Sequence, residues 1–295
     1  MSKSKVVKVG LIQMRCVEGQ PQANTDHAIE LIRQAAASVA EVVCLPELFR
    51  SEYFCQKHDI NLFDLAEPIP GPTTELLAKL AAELKITIEA SLFEKRAPGL
   101  YHNTSVLLLP DSQMAGLYRK SHIPHDPLFY EKYYFTPGDT GFLSTPTPKA
   151  QVGVLVCWDQ WYPEAARATA LTGAEILVYP TAIGWHPAEK AEFGEAQYSA
   201  WQTIQRAHAI ANGIFVVSVN RVGHEGDKAS GIEFWGGSFV ADPFGRILAQ
   251  ASHTDEAVMV VDCDLGLIEE TRRNWPFLRD RRIDLYGSIT QRYGS

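Results

Sequence analysis

The stretch "VGVLVCWDQWYPEAAR" (152–167) runs from strand-forming residues straight into a cysteine beside two tryptophans, with helix signals just beyond. Val152, Val154, Leu155 and Val156 are β-branched or aliphatic and predict a buried strand. Pro163 suits the first position of a helix, and Glu164 suits the positive end of its dipole. Cys157 is therefore expected at a strand-to-helix turn, where backbone N–H groups and the helix terminus favour a thiolate. A buried core thiol explains a lone cysteine equally well, so the surrounding chain has to decide.

Outward from this stretch, strands and helices alternate with short connectors. In the first half the pattern predicts a strand over 6–14, an amphipathic helix over 23–40 capped near Asn24 or Thr25, and a strand over 41–47 stopped by Pro46. A helix over 73–85 follows, then the strands "ITIEASLFEK", "HNTSVLLLP" and "MAGLYRK", separated by Pro, Gly and Asp turns. In the second half a helix near 163–172 leads to a strand over 175–181, and a helix over 196–213 stops at Gly213. Strands over 214–220, 237–251 and 257–264 close the pattern, the middle one turning at "DPFG". "VGLIQM…EVVCLPE" and "VGVLVCW…EILVYPT" share a strand–helix–strand–Pro layout. That predicts one α/β domain of two duplicated halves whose strand ends converge on one crevice.

The totals narrow the function. At 295 residues and 46% hydrophobic the chain can bury a full core, and it has no apolar stretch long enough to span a bilayer. The N-terminal text enters a strand at once and lacks signal-peptide features, which predicts a cytoplasmic protein. Five scattered cysteines without CxxC spacing predict reduced thiols. A net charge of −8 argues against general nucleic-acid binding and weakly favours a cationic small molecule. His122 with His125, and Cys55 with His58, lack the second pair of a zinc finger, and HExxH and phosphate-loop patterns are absent.

Three segments put a reactive side chain beside a strand end: Glu47 in "CLPELFR", Lys120 in "GLYRKSHIP" and Cys157 in "VLVCWDQWYPE". Singly, each has an ordinary reading as a surface acid, a solvated lysine or a core thiol. Together, in this order, they resemble the nitrilase superfamily of carbon–nitrogen hydrolases. The likeness runs from Val6 to "DLYG" at Gly287 and includes "FTPGD" (135–139), "NRVG" (220–223) and "GGSFVADPFG" (236–245). It implies a four-layer αββα sandwich with a hydrolase domain over 6–287. It also implies a Cys157 nucleophile, Glu47 as general base, and Lys120 with the backbone N–H after Cys157 stabilising the oxyanion. Glu131 matches the family's additional glutamate, which orients the lysine and substrate. This chemistry needs no metal and no organic cofactor.

Nitrilases typically follow the cysteine with Trp-Glu, whereas this chain has Trp158 and Asp159. "CWDQWYPEAAR", "YEKYYFTPGDTGF" and "PTAIGWHP" look most like members that hydrolyse N-carbamoylputrescine to putrescine, ammonia and carbon dioxide. On that reading Tyr130 and Trp158 wall the pocket. Asp126, Asp159, Glu189 and Glu192 are candidates for the substrate's distal ammonium, with Glu189 and Asp126 ranked first. A hydrolase of carbamoyl amino acids would need an arginine there instead, and a non-catalytic scaffold would need none of the three reactive residues. The tail 271–295 is rich in Arg, Trp, Phe and Tyr and is a candidate interface segment of a homo-oligomer.

Overall fold

A computed structural model describes residues 5–294. The first half comprises β1 (Val6–Gln13), α1 (Pro21–Ala37), β2 (Val42–Cys44), α2 (Pro72–Leu84), β3 (Thr87–Ala97), β4 (Leu100–Leu108), β5 (Met114–Arg119) and the short α3 (Glu131–Tyr134). The second half has β6 (Ser144–Pro146), β7 (Gln151–Val154), α4 (Pro163–Leu171), β8 (Ile176–Thr181), β9 (Gly184–Trp185) and α5 (Pro187–Asn212). It continues through β10 (Phe215–Asn220), β11 (Val222–Glu225), β12 (Ile232–Trp235), β13 (Phe239–Ala241), β14 (Ile247–Gln250), β15 (Ala257–Asp264) and α6 (Gly266–Asn274).

Two six-stranded sheets form, in the orders β15-β1-β2-β3-β4-β5 and β14-β13-β10-β8-β7-β6. Strand alternation explains how they stack. Val7, Val9 and Leu11 of β1, Val152 and Val154 of β7, and Phe215, Val217 and Val219 of β10 belong to one buried cluster between the sheets. The intervening residues serve the outer faces: Ile12, Val43 and Ile88 pack with Ala28, Ile32 and Leu77 of α1 and α2. Leu177, Tyr179 and Val216 pack with Ala165, Ala166 and Trp201 of α4 and α5. The result is the expected αββα sandwich. The two halves each contain a parallel strand–helix–strand unit, β1‖β2 and β7‖β8, while β15 crosses back to pair with β1.

Several boundaries differ from expectation for identifiable reasons. α1 starts at Pro21, not near residue 23, because Pro supplies its first position. Asn24 lies inside the helix and is buried, its amide bridging Val17 N, Val17 O and Arg50 O. α5 begins nine residues before the expected start, with Pro187 in its first turn and the His186 ring accepting from Ala188 N; Gly213 does end it, at φ +58°. The small sheet β11-β12-β9 was not expected at all. Most relevant to chemistry, Cys157 opens a 3-10 turn over Cys157–Trp161 rather than the helix, so α4's terminus is six residues away.

The interior also holds a carboxyl group unconnected with those strand ends. Glu89 on β3 is fully buried, with Oε1 accepting from Ser105 and Oε2 without a partner among the described residues. Burial pushes its pKa up from 4.5 to about 8, against the pull of Ser105 and of the Leu45 N–H. A raised folded-state pKa gives stability that is complete below the unfolded value and is lost as pH rises through the folded one. Wild-type stability relative to Glu89→Gln should therefore fall by up to about 1.4 kcal/mol per pH unit between roughly pH 5 and 8. Denaturant titrations of both proteins across that range measure the difference, and parallel curves would refute it.

Candidate active site

The site grows from three strand ends at one edge of the sandwich. β2 ends at Cys44 and the chain turns through Leu45 and Pro46 into Glu47, whose N–H donates to Thr181 O at the end of β8 (3.3 Å). β5 delivers Lys120 directly after Arg119, and β7 leads through Leu155 and Val156 to Cys157. All four family-implied residues are buried: Glu47, Lys120 and Glu131 at 0% exposure and Cys157 at 5%.

Lys120 is the centre. Its Nζ donates to Glu47 Oε1 (2.8 Å) and to Glu131 Oε1 and Oε2 (2.9 and 2.7 Å). Burial alone would strip its proton, but Glu131 and Glu47 outweigh that and hold the pKa above the ordinary lysine range. Asn103 Nδ2 also donates to Glu47 Oε1 (2.7 Å), itself held by Ser91 Oγ on its own carbonyl oxygen (3.1 Å). Tyr53 OH donates to Glu131 Oε1 (2.6 Å). Of the Glu47 and Glu131 carboxylate oxygens, Glu47 Oε2 lacks a partner among the described residues.

Cys157 sits at φ +42°, a left-handed conformation that non-glycine residues adopt at a cost. Its thiol is not activated as a thiolate, contrary to the sequence expectation. Burial pushes its pKa well above the ordinary value and Glu47 and Glu131 add to the rise, while Lys120 and the contact to Ala182 O (3.8 Å) only partly offset it. The helix terminus that was to lower it is too far along the chain.

Cys157 and Glu131 form the floor of a cleft of about 470 Å³. Its walls are Pro124, Phe129, Trp158, Trp161, Ile183, Phe193, Gln197 and Trp235, with Ala182, Gly184, Ala196 and Ala200 between them. Trp158 is in the wall. Tyr130 is not: it packs on His58 and His125 (ring centroids 4.8 and 5.6 Å), and its neighbour Phe129 takes the wall position. Asp126 and Glu192 are exposed and outside the lining. Glu189 is also exposed and outside it, but its Oε2 accepts from Nε2 of the wall residue Gln197 (3.2 Å). Asp159 is wholly buried, with both oxygens occupied by protein donors, so it cannot meet a substrate.

Sequence reasoning missed the frame around these groups, though quoted motifs contained it. Arg221 of "NRVG" is fully buried and donates to Glu47 O (2.6 Å), Leu48 O (3.1 Å) and Ser51 O (3.1 Å), clamping the loop that carries Glu47. Glu225 neutralises it (2.9 Å) and accepts from Tyr53 N (2.6 Å). Gly138 of "FTPGD" donates to Lys120 O (2.8 Å), and a Cβ there would stand 1.9 Å from Arg119 O. No side chain could replace that glycine without moving the lysine strand. Among the described residues, no group of three or more His, Cys, Asp or Glu is placed to hold a metal ion, and no helix is long and apolar enough to cross a membrane.

Removing one partner of a buried pair strands the other. Arg221→Met should therefore cost about 3–5 kcal/mol, and the double variant Arg221→Met/Glu225→Gln should recover part of it. Chemical denaturation of the three proteins measures this; a double variant no more stable than the single one would contradict the pairing.

Comparison with known proteins agrees with this architecture. The carbon–nitrogen hydrolase family model matches residues 8–273. The chain is 43% identical to N-carbamoylputrescine amidase of Oryza sativa subsp. japonica over 95% of its length and 93% of the relative's. It is 37% identical to citrullinase of Francisella tularensis, over 97% and 99%. The crystal structure of a carbon–nitrogen hydrolase from Helicobacter pylori G27 superposes with TM-score 0.94 at 46% identity, covering 98% of this chain and all of that one. With sandwich, strand-end residues and near-complete coverage in agreement, the chain belongs to the carbon–nitrogen hydrolase family.

Proposed function

We propose that the protein hydrolyses N-carbamoylputrescine, with Cys157 as nucleophile, Glu47 as base and Lys120 as oxyanion stabiliser. The observation that carries the substrate choice is the cleft. It is aromatic, and among the described residues neither Arg nor Lys lines it. A distal carboxylate would find no cation there. A distal ammonium finds the rings of Trp158, Trp161 and Phe193, with Gln197 and, behind it, the Glu189 carboxylate. Four plant relatives at 41–43% identity are N-carbamoylputrescine amidases, which supports the same reading.

The chemistry follows from the charges. The resting nucleophile is a thiol, so the free Glu47 Oε2 takes its proton as sulfur attacks the ureido carbon. Negative charge moves to the ureido oxygen, where Lys120 and the backbone N–H after Cys157 stabilise it. The proton passes to the terminal nitrogen, ammonia leaves, and a carbamoyl thioester remains on Cys157. Water then adds with Glu47 as base and restores the thiol. The released carbamate breaks down to putrescine and carbon dioxide. Glu131 holds Lys120 in line throughout.

Ammonia release from N-carbamoylputrescine, N-carbamoyl-β-alanine and citrulline tests the assignment. The carbamoyl-amine should be preferred by at least about tenfold in kcat/KM, and Cys157→Ser should lose about a thousandfold or more in kcat. Glu189→Gln should raise KM several-fold with kcat nearly kept. Preference for the acid would overturn the substrate, and an active Cys157→Ser the nucleophile.

The same reading extends to cytoplasmic location and to a homo-oligomer built through the tail. Trp275, Phe277, Ile283, Leu285, Tyr286 and Ile289 are all exposed, an apolar run unusual for a free surface. Light scattering at micromolar concentration should give a multiple of 32.8 kDa, reduced when residues 275–295 are deleted; a monomeric full chain would contradict the assembly.

A further inference from the structure

Asp159 accepts four hydrogen bonds and spends none on the cleft. Oδ2 takes Val156 N (2.9 Å) and Tyr118 OH (2.8 Å); Oδ1 takes His122 N (3.0 Å) and His122 Nδ1 (2.6 Å). The identities of these donors matter more than their number. Val156 immediately precedes Cys157, and Asp159 sits two residues beyond it in the same 3-10 turn. Tyr118 and His122 stand two residues before and two after Lys120. One fully buried carboxylate therefore ties the segment carrying the cation to the segment carrying the nucleophile.

The surroundings leave little slack. A carboxylate only accepts, so the proton lies on Nδ1 of His122. That ring is stacked on Tyr162 (centroids 3.7 Å apart, planes within 6°) and lies parallel to Phe142 at 6.1 Å. The Val156 N–H bond fixes the residue just before Cys157, which is itself held at φ +42°. Without that tie the cysteine has a less strained conformation to relax into.

We propose that Asp159 is a positioning residue, with Tyr118 and His122 as its arms, which sets the placement of Cys157 Sγ against Lys120 Nζ. It touches neither substrate nor reacting atoms. Its contribution falls on the chemical step, where a misplacement of about 1 Å can cost about a hundredfold, and not on binding, which belongs to the aromatic walls. The proposal rests on the hydrolase reading above.

The test is a variant series assayed well below each protein's melting temperature, with kcat and KM for N-carbamoylputrescine and the rate of Cys157 alkylation by iodoacetamide. Tyr118→Phe removes one arm and should lower kcat several-fold; His122→Ala should lower it about tenfold. Asp159→Asn should lower it about a hundredfold. Asp159→Glu keeps the charge but lengthens the tie, and should fall with Asp159→Asn. KM should stay within about threefold throughout, while alkylation of Cys157 changes in every variant that loses kcat. Wild-type kcat in Tyr118→Phe and His122→Ala, or in Asp159→Glu, overturns the proposal, as does a rise in KM in place of the fall in kcat. The two arm variants decide the matter if the Asp159 variants do not fold. An inactive wild type would instead sink the substrate assignment, and the alkylation rates would still report on positioning.

Discussion

An ammonium ion held in the dry interior between two carboxylates is what the rest of the site is built to sustain. Taking three charges out of water is expensive, and their mutual attraction compensates only if the geometry is kept and the remaining lone pairs are satisfied. Asn103, Ser91 and Tyr53 meet that second condition around Glu47 Oε1 and Glu131, and leave Glu47 Oε2 open. When both glutamates are ionised beside a positive Lys120 the group carries one net negative charge, so a thiolate would add a second. Burial is the larger cause of the raised Cys157 pKa, and the charges of Glu47 and Glu131 add to it. Sulfur is deprotonated at the moment of attack, when charge can move on to the substrate oxygen, and the uncommitted oxygen of Glu47 is where the proton can go.

Holding these groups together requires ties across chain segments far apart in sequence. Arg221, at the end of β10, reaches the carbonyl of Glu47, 174 residues away. Asn220 beside it accepts from Ile183 N and donates to Ile183 O and Gly236 O, fastening one wall of the cleft to the turn after Trp235. Every one of these bonds is buried, where an unpaired partner is costly. The frame is therefore close to all-or-none: loss of one member leaves several others unsatisfied.

Much of this was legible in the sequence because the strands are short apolar runs punctuated by Pro and Gly. The strand ends of β2, β5 and β7 could be placed, and with them Glu47, Lys120 and Cys157. What could not be read lies in tertiary packing. The start of α5, "PAEKAEFGE", has charged residues and a glycine but little apolar periodicity; the fold holds it by the Trp185 Nε1 bond to Gly194 O (2.9 Å). Asp159 looks like any acid beside a pocket until its four donors are seen. Tyr130 and Phe129 are adjacent aromatics, and only the backbone path decides which one faces the cleft. The thiolate expectation failed because local helix position was weighed without the burial and the two glutamates that outweigh it.

Chemistry and recognition are carried by different parts of the fold. The reacting groups hang from sheet ends whose backbone is pinned by Arg221, Gly138 and Asp159. Phe193, Ala196, Gln197 and Ala200, by contrast, come from a single helix at three- and four-residue spacing, so one face of α5 supplies much of the far wall. Glu189, one turn before Phe193, adds its charge from the same helix without entering the cleft. A substitution on that face alters what the cleft admits while leaving the buried ion cluster untouched. A substitution among the pinned segments does the reverse. Change in substrate within this fold is thus easiest along α5, where nothing in the ion cluster has to be rebuilt.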